Sequence, residues 1–423
     1  MNITVSCASA HGKIKAIASK SVAHRLLICA AFADAPTRIR CDETNNDIEA
    51  TAACLSALGA RIARNAPYYE VTPIERENIV KGAILPCGES GSTLRFLLPV
   101  AAALGAECSF ELRGRLPERP LSPLREELEA HGISLYGKET LKISGKLTGN
   151  DYFIDGNVSS QFVSGLLFAL TLIDGECRLT VNNKLESAPY VDITCGALAL
   201  FSAPVKKDGN VYTVGAKNAL ISPNSIEVEG DWSNAAFPLA LGVLGGKTEV
   251  CGLLPDSSQG DRAVVDILRA FGADITYSQE SASYVAKKSA LCGIDIDASQ
   301  IPDLVPILAT VASVAKGQTR IYGAARLRLK ESDRLASVCE MLGALGANIS
   351  QSTDGLIITG VELLSGGNTD SFNDHRIAMS AAVASAVCSG EVSITRANAV
   401  EKSYPDFWND MLKLGMKVQN SSL

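Results

Sequence analysis

At 423 residues, with 47% apolar and 20% charged positions, the chain has the composition of an ordinary globular protein and exceeds the size of one hydrophobic core. A formal charge of -7 argues against a general nucleic-acid or membrane-surface binder, since both need a basic face. No apolar run reaches the roughly 18 residues that span a bilayer, and no charged region precedes an apolar one in the first twenty residues, so a cytoplasmic protein is expected.

Two domains of about 200 residues follow from the length. Twelve cysteines, from Cys7 to Cys388, are scattered and form no C-x-x-C pair, which predicts reduced core residues and no metal centre.

In chain order, Ile3 to Cys7 reads as a strand with no unit before it. Next comes Ser19-Lys20-Ser21-Val22-Ala23-His24-Arg25, a polar and partly cationic head running into an apolar helix, Leu26 to Ala33. Similar heads open at Ser90, Ser159, Ser233, Ile301 and Asn373, an interval of roughly 70 residues that marks stacked units. A second helix in each unit stops at Leu58-Gly59, His131-Gly132, Phe271-Gly272, Leu345-Gly346 and Leu414-Gly415, where glycine is a C-cap signal. The third unit departs, with Phe201-Ser202 at that place. Short alternating stretches around a polar turn follow, as in Ile349 to Ser352, Asp354-Gly355 and Leu356 to Thr359. The expected architecture is α/β, six β-α-β-α-β-β repeats with three per domain. The last repeat is a strand short, so Ile3 to Cys7 is expected to cross over and complete it. That places residues 1–18 with 230–423 in one discontinuous domain and 19–229 in an inserted one. The two crossing segments would form a hinge beside a ligand cleft.

The first turn of a helix carries N–H groups without intrahelical partners and a partial positive charge. Lys20 and Arg25, Arg95, and His375 and Arg376 add cations at that end. Each such placement costs about 0.3–1 kcal/mol unless an anion lies among them, so the heads point to a polyanionic ligand. Gly88-Glu89-Ser90-Gly91-Ser92-Thr93-Leu94-Arg95 suits a phosphate or carboxylate, although a plain Gly/Ser cap explains it equally. Ser159-Ser160-Gln161 offers two hydroxyls and an amide, with an ordinary cap as the alternative. Arg113, Arg115, Arg119 and Arg125 alternate with Pro117, Pro120 and Pro123, which makes either a stiff loop presenting an arginine fork or a solvated turn.

Alternation across Arg326-Leu327-Arg328-Leu329-Lys330 predicts a strand, with Glu331 opening the next helix. Asp303 is a single acid in an apolar segment, either partnered for function or a helix cap. His375, in Asn373-Asp374-His375-Arg376, is a candidate for catalysis, although a lone histidine is more often a packed hydrogen-bonding group. No histidine or cysteine pair has metal-ligand spacing, and no Ser-His-Asp order or nucleophile elbow can be assembled.

Eight short stretches, SKSVAHR at Ser19, GSTLR at Gly91, RP at Arg119, SSQF at Ser159, SAPY at Ser187, IPD at Ile301, LKESDR at Leu329 and NDHR at Asn373, occur in that order over essentially the whole chain. Together they resemble the enolpyruvyl transferase family. The resemblance implies that family's two-domain fold, an inside-out α/β barrel. It also implies transfer of the carboxyvinyl group of phosphoenolpyruvate to the 5-hydroxyl of shikimate 3-phosphate, without metal or cofactor. By the same resemblance, Lys20, Ser21, Arg25, Ser159, Ser160, Gln161, Ser187, Tyr190, Asp303 and Lys330 would hold shikimate 3-phosphate. Lys20, Gly91, Arg95, Arg119, Gln161, Arg334, Arg376 and Lys402 would meet phosphoenolpyruvate. Asp303 and Glu331 would carry protons, assisted by Lys20, and His375 is the fourth catalytic candidate. The partners are then two anionic metabolites, with no nucleic acid and no membrane, and a monomer is expected.

The sequence departs from the family pattern at Ala18, where glycine is usual, at Glu89-Ser90, where Asn-Ala is common, and at Arg326, where asparagine is frequent. The alternatives are the family branch acting on UDP-N-acetylglucosamine, which carries a reactive cysteine in its arginine-proline loop, and a non-catalytic anion-binding repeat protein. No cysteine lies between Arg113 and Arg125.

Overall fold

The short alternating stretches resolve into six four-stranded sheets. In the second repeat the spatial order is Ala83–Gly88, Cys108–Leu112, Thr140–Gly145, Ile133–Tyr136. The first pair is parallel, with Ala83 opposite Cys108, and the other two pairs are antiparallel. Ala83, Leu85 and Cys87 turn inward while Ile84 and Pro86 face out, the two-residue period of a half-buried strand. All six sheets share this order of one parallel and two antiparallel pairings. The structure, a computed structural model, describes residues 1–75, 78–216 and 219–420.

Two α-helices accompany each sheet: α1 Lys20–Ala31 and α2 Asn46–Leu58, α3 Gly91–Leu104 and α4 Leu124–Ala130, α5 Ser160–Leu170 and α6 Ala188–Leu200. Then come α7 Trp232–Gly245 and α8 Val264–Ala270, α9 Val305–Ala312 and α10 Arg334–Ala344, α11 His375–Ala384 and α12 Phe407–Lys413. The first of each pair is sheathed by apolar neighbours over most of its length. In α3, for example, twelve positions from Gly91 to Ala103 are buried. Alanine and glycine permit this crowding. A Cβ at Gly165 of α5 would collide with the Arg95 carbonyl of α3, so the two helices, and the heads at their N-termini, lie in close contact.

By its internal contacts the chain divides into two compact units, Met1–Ile17 with Glu229–Leu423, and Ala18–Val228, each with its own apolar core. Strand exchange produces this division. Ile3–Ser6 lies between Val392–Thr395 and Lys417–Asn420 and supplies the strand that the last repeat lacks. Ala10–Lys15 pairs in parallel with Gly246–Cys251 and opens the fourth repeat, a strand absent from the sequence reading because only Ala10 and Ile14 face inward. Ser225–Glu227 pairs in parallel with Thr37–Arg40 and so opens the first repeat from the far end of its unit.

Helix ends follow the glycine pattern, with Gly272 at φ 106, a left-handed conformation that side chains with a Cβ resist. The third repeat takes the same turn without glycine, placing Ser202 at φ 61. Six cysteines are buried, five are half-buried and Cys292 is exposed, and all twelve are free thiols. One element differs from expectation. Arg326 to Lys330 is no strand: Ala325–Leu329 forms a 3-10 turn with Leu327 fully buried and Leu329 49% exposed, so the alternation was of charge and not of facing. Arg328 pins this turn, donating to the Ser352 carbonyl (2.7 Å) and to Asp333 (3.0 Å). Glu331 does not open the following helix. Asp333 caps it, accepting from Ala336 N at 3.1 Å, and α10 begins at Arg334.

Candidate functional site

In the unit Ala18–Val228, two heads and one loop gather cations. Lys20, the first residue of α1, reaches Asp47 in the first turn of α2 (Nζ to Oδ2, 2.8 Å). Arg25, one turn on and 2% exposed, donates to the carbonyls of Ser21 (2.6 Å) and Tyr190 (2.7 Å) and to the hydroxyls of Thr194 (2.7 Å) and Ser164 (3.4 Å). Burial pulls its guanidinium down to about 10. Among the described residues, four of its five N–H groups thus go to acceptors of the protein itself.

At α3 the glycine is required by space. A Cβ at Gly91 would stand 2.5 Å from Arg95 Nη1 and 2.7 Å from Arg119 Nη1, so two guanidinium groups converge over the head. Arg95 is 4% exposed and donates to the Gly91 carbonyl at 3.3 Å. Arg119 closes the 3-10 turn Leu116–Glu118 in the arginine-proline loop. On α5, Ser159 is spent as the cap, accepting from Gln161 N at 3.3 Å, while Ser160 is buried and the Gln161 amide donates to Ser92 Oγ of the α3 head at 2.9 Å. Ser187 precedes α6 at φ 53, and Tyr190 lies in its first turn. Glu89 packs its carboxyl against Gly114 at the start of the arginine loop, where a Cβ would meet its Cδ at 2.7 Å.

In the other unit the acids and bases interlock. Arg334, 1% exposed, donates through Nη1 to Asp303 (2.7 Å), through Nη2 to Glu331 (2.8 Å) and through Nε to Asp374 (2.8 Å). Burial alone would weaken its hold on the proton, but the carboxylates of Asp374, Glu331 and Asp303 outweigh that and raise it well above the usual arginine value. Asp303 also takes Arg376 Nη2 at 3.0 Å and faces Lys330 Nζ at 3.8 Å. It sits inside the 3-10 turn Pro302–Leu304 as a partnered ion and not as a helix cap. Desolvation pulls Lys330 down to about 8, with Asp303 opposing and Arg334 adding to the fall.

Asp374 is completely buried. It caps α11 through Arg376 N (2.9 Å), and it accepts from Ser332 Oγ (3.1 Å) as well as from Arg334. His375 Nδ1 is 4.0 Å from its Oδ1. Lys402 anchors on the Asn373 carbonyl at 2.8 Å. Asp261, 1% exposed, accepts from Ser233 Oγ. Burial and then the nearby Asp303 charge push its carboxyl up to about 6, against the pull of Arg376. Among the described residues no group of three or more His, Cys, Asp or Glu could hold a metal ion, and no helix is long and apolar enough to cross a membrane.

Within one unit the structure therefore joins Lys20 to Asp47, brings Arg95 and Arg119 together over Gly91, and ties Gln161 to Ser92 of the same head. Within the other it joins Asp303, Lys330, Glu331, Arg334 and Arg376. The sequence reading passed over Asp47, Asp261 and Asp374. Asp47 resembles any acid in a helix first turn, and Asp374 stood inside a quoted stretch with a cap as its only visible purpose.

The model of the EPSP synthase family, 3-phosphoshikimate 1-carboxyvinyltransferase, matches residues 7–411. The chain belongs to the EPSP synthase family. The 3-phosphoshikimate 1-carboxyvinyltransferase of Clostridium kluyveri is 41% identical over 427 residues, 100% of this chain and 99% of that protein. The one from Brachyspira hyodysenteriae is 40% identical, covering 99% of this chain and 100% of its own. Among solved structures, EPSP synthase from Acinetobacter baumannii superposes with a TM-score of 0.80 at 25% identity, covering 99% of this chain and 100% of that one.

Proposed function

We propose that this chain moves the carboxyvinyl group of phosphoenolpyruvate to the 5-hydroxyl of shikimate 3-phosphate and releases phosphate. The observation that carries the reading is the placement of two carboxylates, Asp303 and Glu331, on one buried guanidinium, Arg334. The reaction needs two proton carriers. The 5-hydroxyl loses a proton as its oxygen bonds to C2 of phosphoenolpyruvate, and the methylene carbon gains one. The methyl group then returns a proton as the C–O bond to phosphate breaks.

Asp303 is assigned to the hydroxyl, because Arg334, Arg376 and Lys330 supply charge that offsets its carboxylate. Glu331 is assigned to the methylene carbon, and Lys20 assists by offsetting the phosphate charge. His375, whose Nδ1 stands 4.0 Å from Asp374 Oδ1, is the fourth catalytic candidate. Shikimate 3-phosphate is assigned to Lys20, Ser21, Arg25, Ser159, Ser160, Gln161, Ser187, Tyr190, Asp303 and Lys330. Phosphoenolpyruvate is assigned to Lys20, Gly91, Arg95, Arg119 and Gln161, and to Arg334, Arg376 and Lys402. Both ligands are anions, which answers the excess of cations at the helix heads.

A monomer in the cytoplasm fits twelve free thiols, and light scattering on the purified chain checks the oligomeric state. The deciding assay is phosphate release with both substrates, run beside UDP-N-acetylglucosamine as acceptor. Release with the sugar nucleotide alone would overturn the proposal. Lys20→Met and Glu331→Gln should each lower turnover at least about a hundredfold with the circular dichroism unchanged. A variant that turns over at the wild-type rate removes its residue from the mechanism.

A further inference from the structure

A buried line of polar groups crosses the interior of the unit Ala18–Val228 beneath the α1 and α3 heads. His24 Nδ1 lies 2.6 Å from Thr51 Oγ1, which lies 2.7 Å from Thr93 Oγ1, which donates to Ser90 Oγ at 2.8 Å. The four residues are 1%, 0%, 0% and 2% exposed, so protein groups must satisfy them: chiefly each other, with the Asp47 carbonyl as a second, longer acceptor for Thr93 Oγ1 at 3.5 Å.

Counting protons gives the line a direction. A hydroxyl carries one hydrogen. Thr93 gives its hydrogen to Ser90 at 2.8 Å, the shorter of its two acceptor contacts, the Asp47 carbonyl being at 3.5 Å, so its oxygen accepts from Thr51. Thr51 has then spent its hydrogen and must accept from His24, which places the imidazole proton on Nδ1. His24 Nε2 has no hydrogen-bond partner, the outcome expected if that nitrogen is the one without a proton, since a buried lone pair costs less than a buried N–H. Burial, then the charges of Lys20 and Arg25, hold His24 well below its usual value, so the ring stays neutral and cannot donate from both nitrogens.

The line ends at Ser90, the cap of α3. Its oxygen accepts from Thr93 Oγ1 and, at 3.4 Å, from Thr93 N, so both lone pairs face the helix. The Ser90 hydroxyl hydrogen must then point away from the helix. It finds no acceptor among the described residues, although Ser90 is buried. A buried donor without a partner costs about 1–3 kcal/mol unless a ligand supplies the acceptor. The next residue is Gly91, over which Arg95 and Arg119 converge.

We propose that Ser90 is an additional hydrogen-bond donor to phosphoenolpyruvate, oriented by a one-way chain that starts at His24 and passes through Thr51 and Thr93. The proposal rests on the assignment of that substrate to the α3 head. Ser90 touches the ligand, and Thr51 and Thr93 are positioning residues.

Ser90→Ala should raise KM for phosphoenolpyruvate about tenfold, with kcat within about twofold of wild type and KM for shikimate 3-phosphate unchanged. Thr51→Val, which keeps the shape and breaks the chain, should show the same KM-against-kcat split, and Thr51→Ser should restore the wild-type value. The double variant Ser90→Ala, Thr51→Val should be no worse than Ser90→Ala alone, because the two changes remove one interaction. Arg95→Ala is the control for the substrate assignment. An unchanged KM in Ser90→Ala while Arg95→Ala raises it overturns the chain alone. Multiplying effects in the double variant do the same. An unchanged KM in Arg95→Ala overturns the assignment and the chain with it.

Discussion

Lys330 stands where chemistry and proton affinity meet. Desolvation draws its ammonium from the ordinary lysine value of 10.5 to about 8, so it is charged below that pH and neutral above it. If it holds an anionic substrate, attraction is present on the acid side and lost as the proton leaves. KM for shikimate 3-phosphate should therefore rise as pH climbs through about 8, and Lys330→Arg should move that rise beyond the measured range. A flat profile between pH 7 and 9.5 would remove Lys330 from the ligand. At this scale much was legible from sequence. Asp303 announced itself as a lone acid among apolar residues, and Arg334 by its place among mixed charges. The carboxylates that hold the cations in place were not legible. Asp47 and Asp374 have the appearance of ordinary helix-start acids, and only the fold shows that one holds Lys20 and the other Arg334.

Helix starts were the most readable elements, because a cap residue followed by an apolar run is a local pattern that needs no tertiary knowledge. Ser90 and Ser159, where heads were expected, cap as side-chain acceptors, while the heads expected at Ser233 and Asn373 are capped by the neighbouring Asp231 and Asp374. The turn before α10 was misread because alternating Arg and Leu imitates a strand, while the feature that decides it, Arg328 bound to the Ser352 carbonyl, joins residues 24 apart. The α3 start also gives a test in which packing and propensity act in opposite directions. Gly91→Ala favours the helix by about 1 kcal/mol, yet its methyl group would fall on the Arg95 and Arg119 guanidinium groups. KM for phosphoenolpyruvate should rise about tenfold or more while the melting temperature stays level or increases. A fall in stability with unchanged KM would mean that the two arginines do not need that space.

Across the whole molecule, the repeat count and the return of Ile3–Ser6 to the last sheet could be read from sequence, since a repeat short of one strand and a strand without a repeat call for each other. The second exchange, in which Ala10–Lys15 serves the fourth repeat and Ser225–Glu227 the first, could not, because both strands are short and weakly patterned. Val5, 1% exposed and opposite both Val392 and Val418, tests this wiring. Val5→Asp buries an unpaired charge and should cost about 3 kcal/mol or more. Hydrogen exchange should then show lost protection in Val392–Thr395 and Lys417–Asn420, while the strands of Ala18–Val228 keep theirs. Equal loss in both units would contradict two separate cores. The same wiring also orders events at the ribosome. Ile3–Ser6 has no sheet partner until Val392–Thr395 and Lys417–Asn420 have been made, whereas the sheets of Ala18–Val228 draw every strand from within that segment, which is therefore free to fold first.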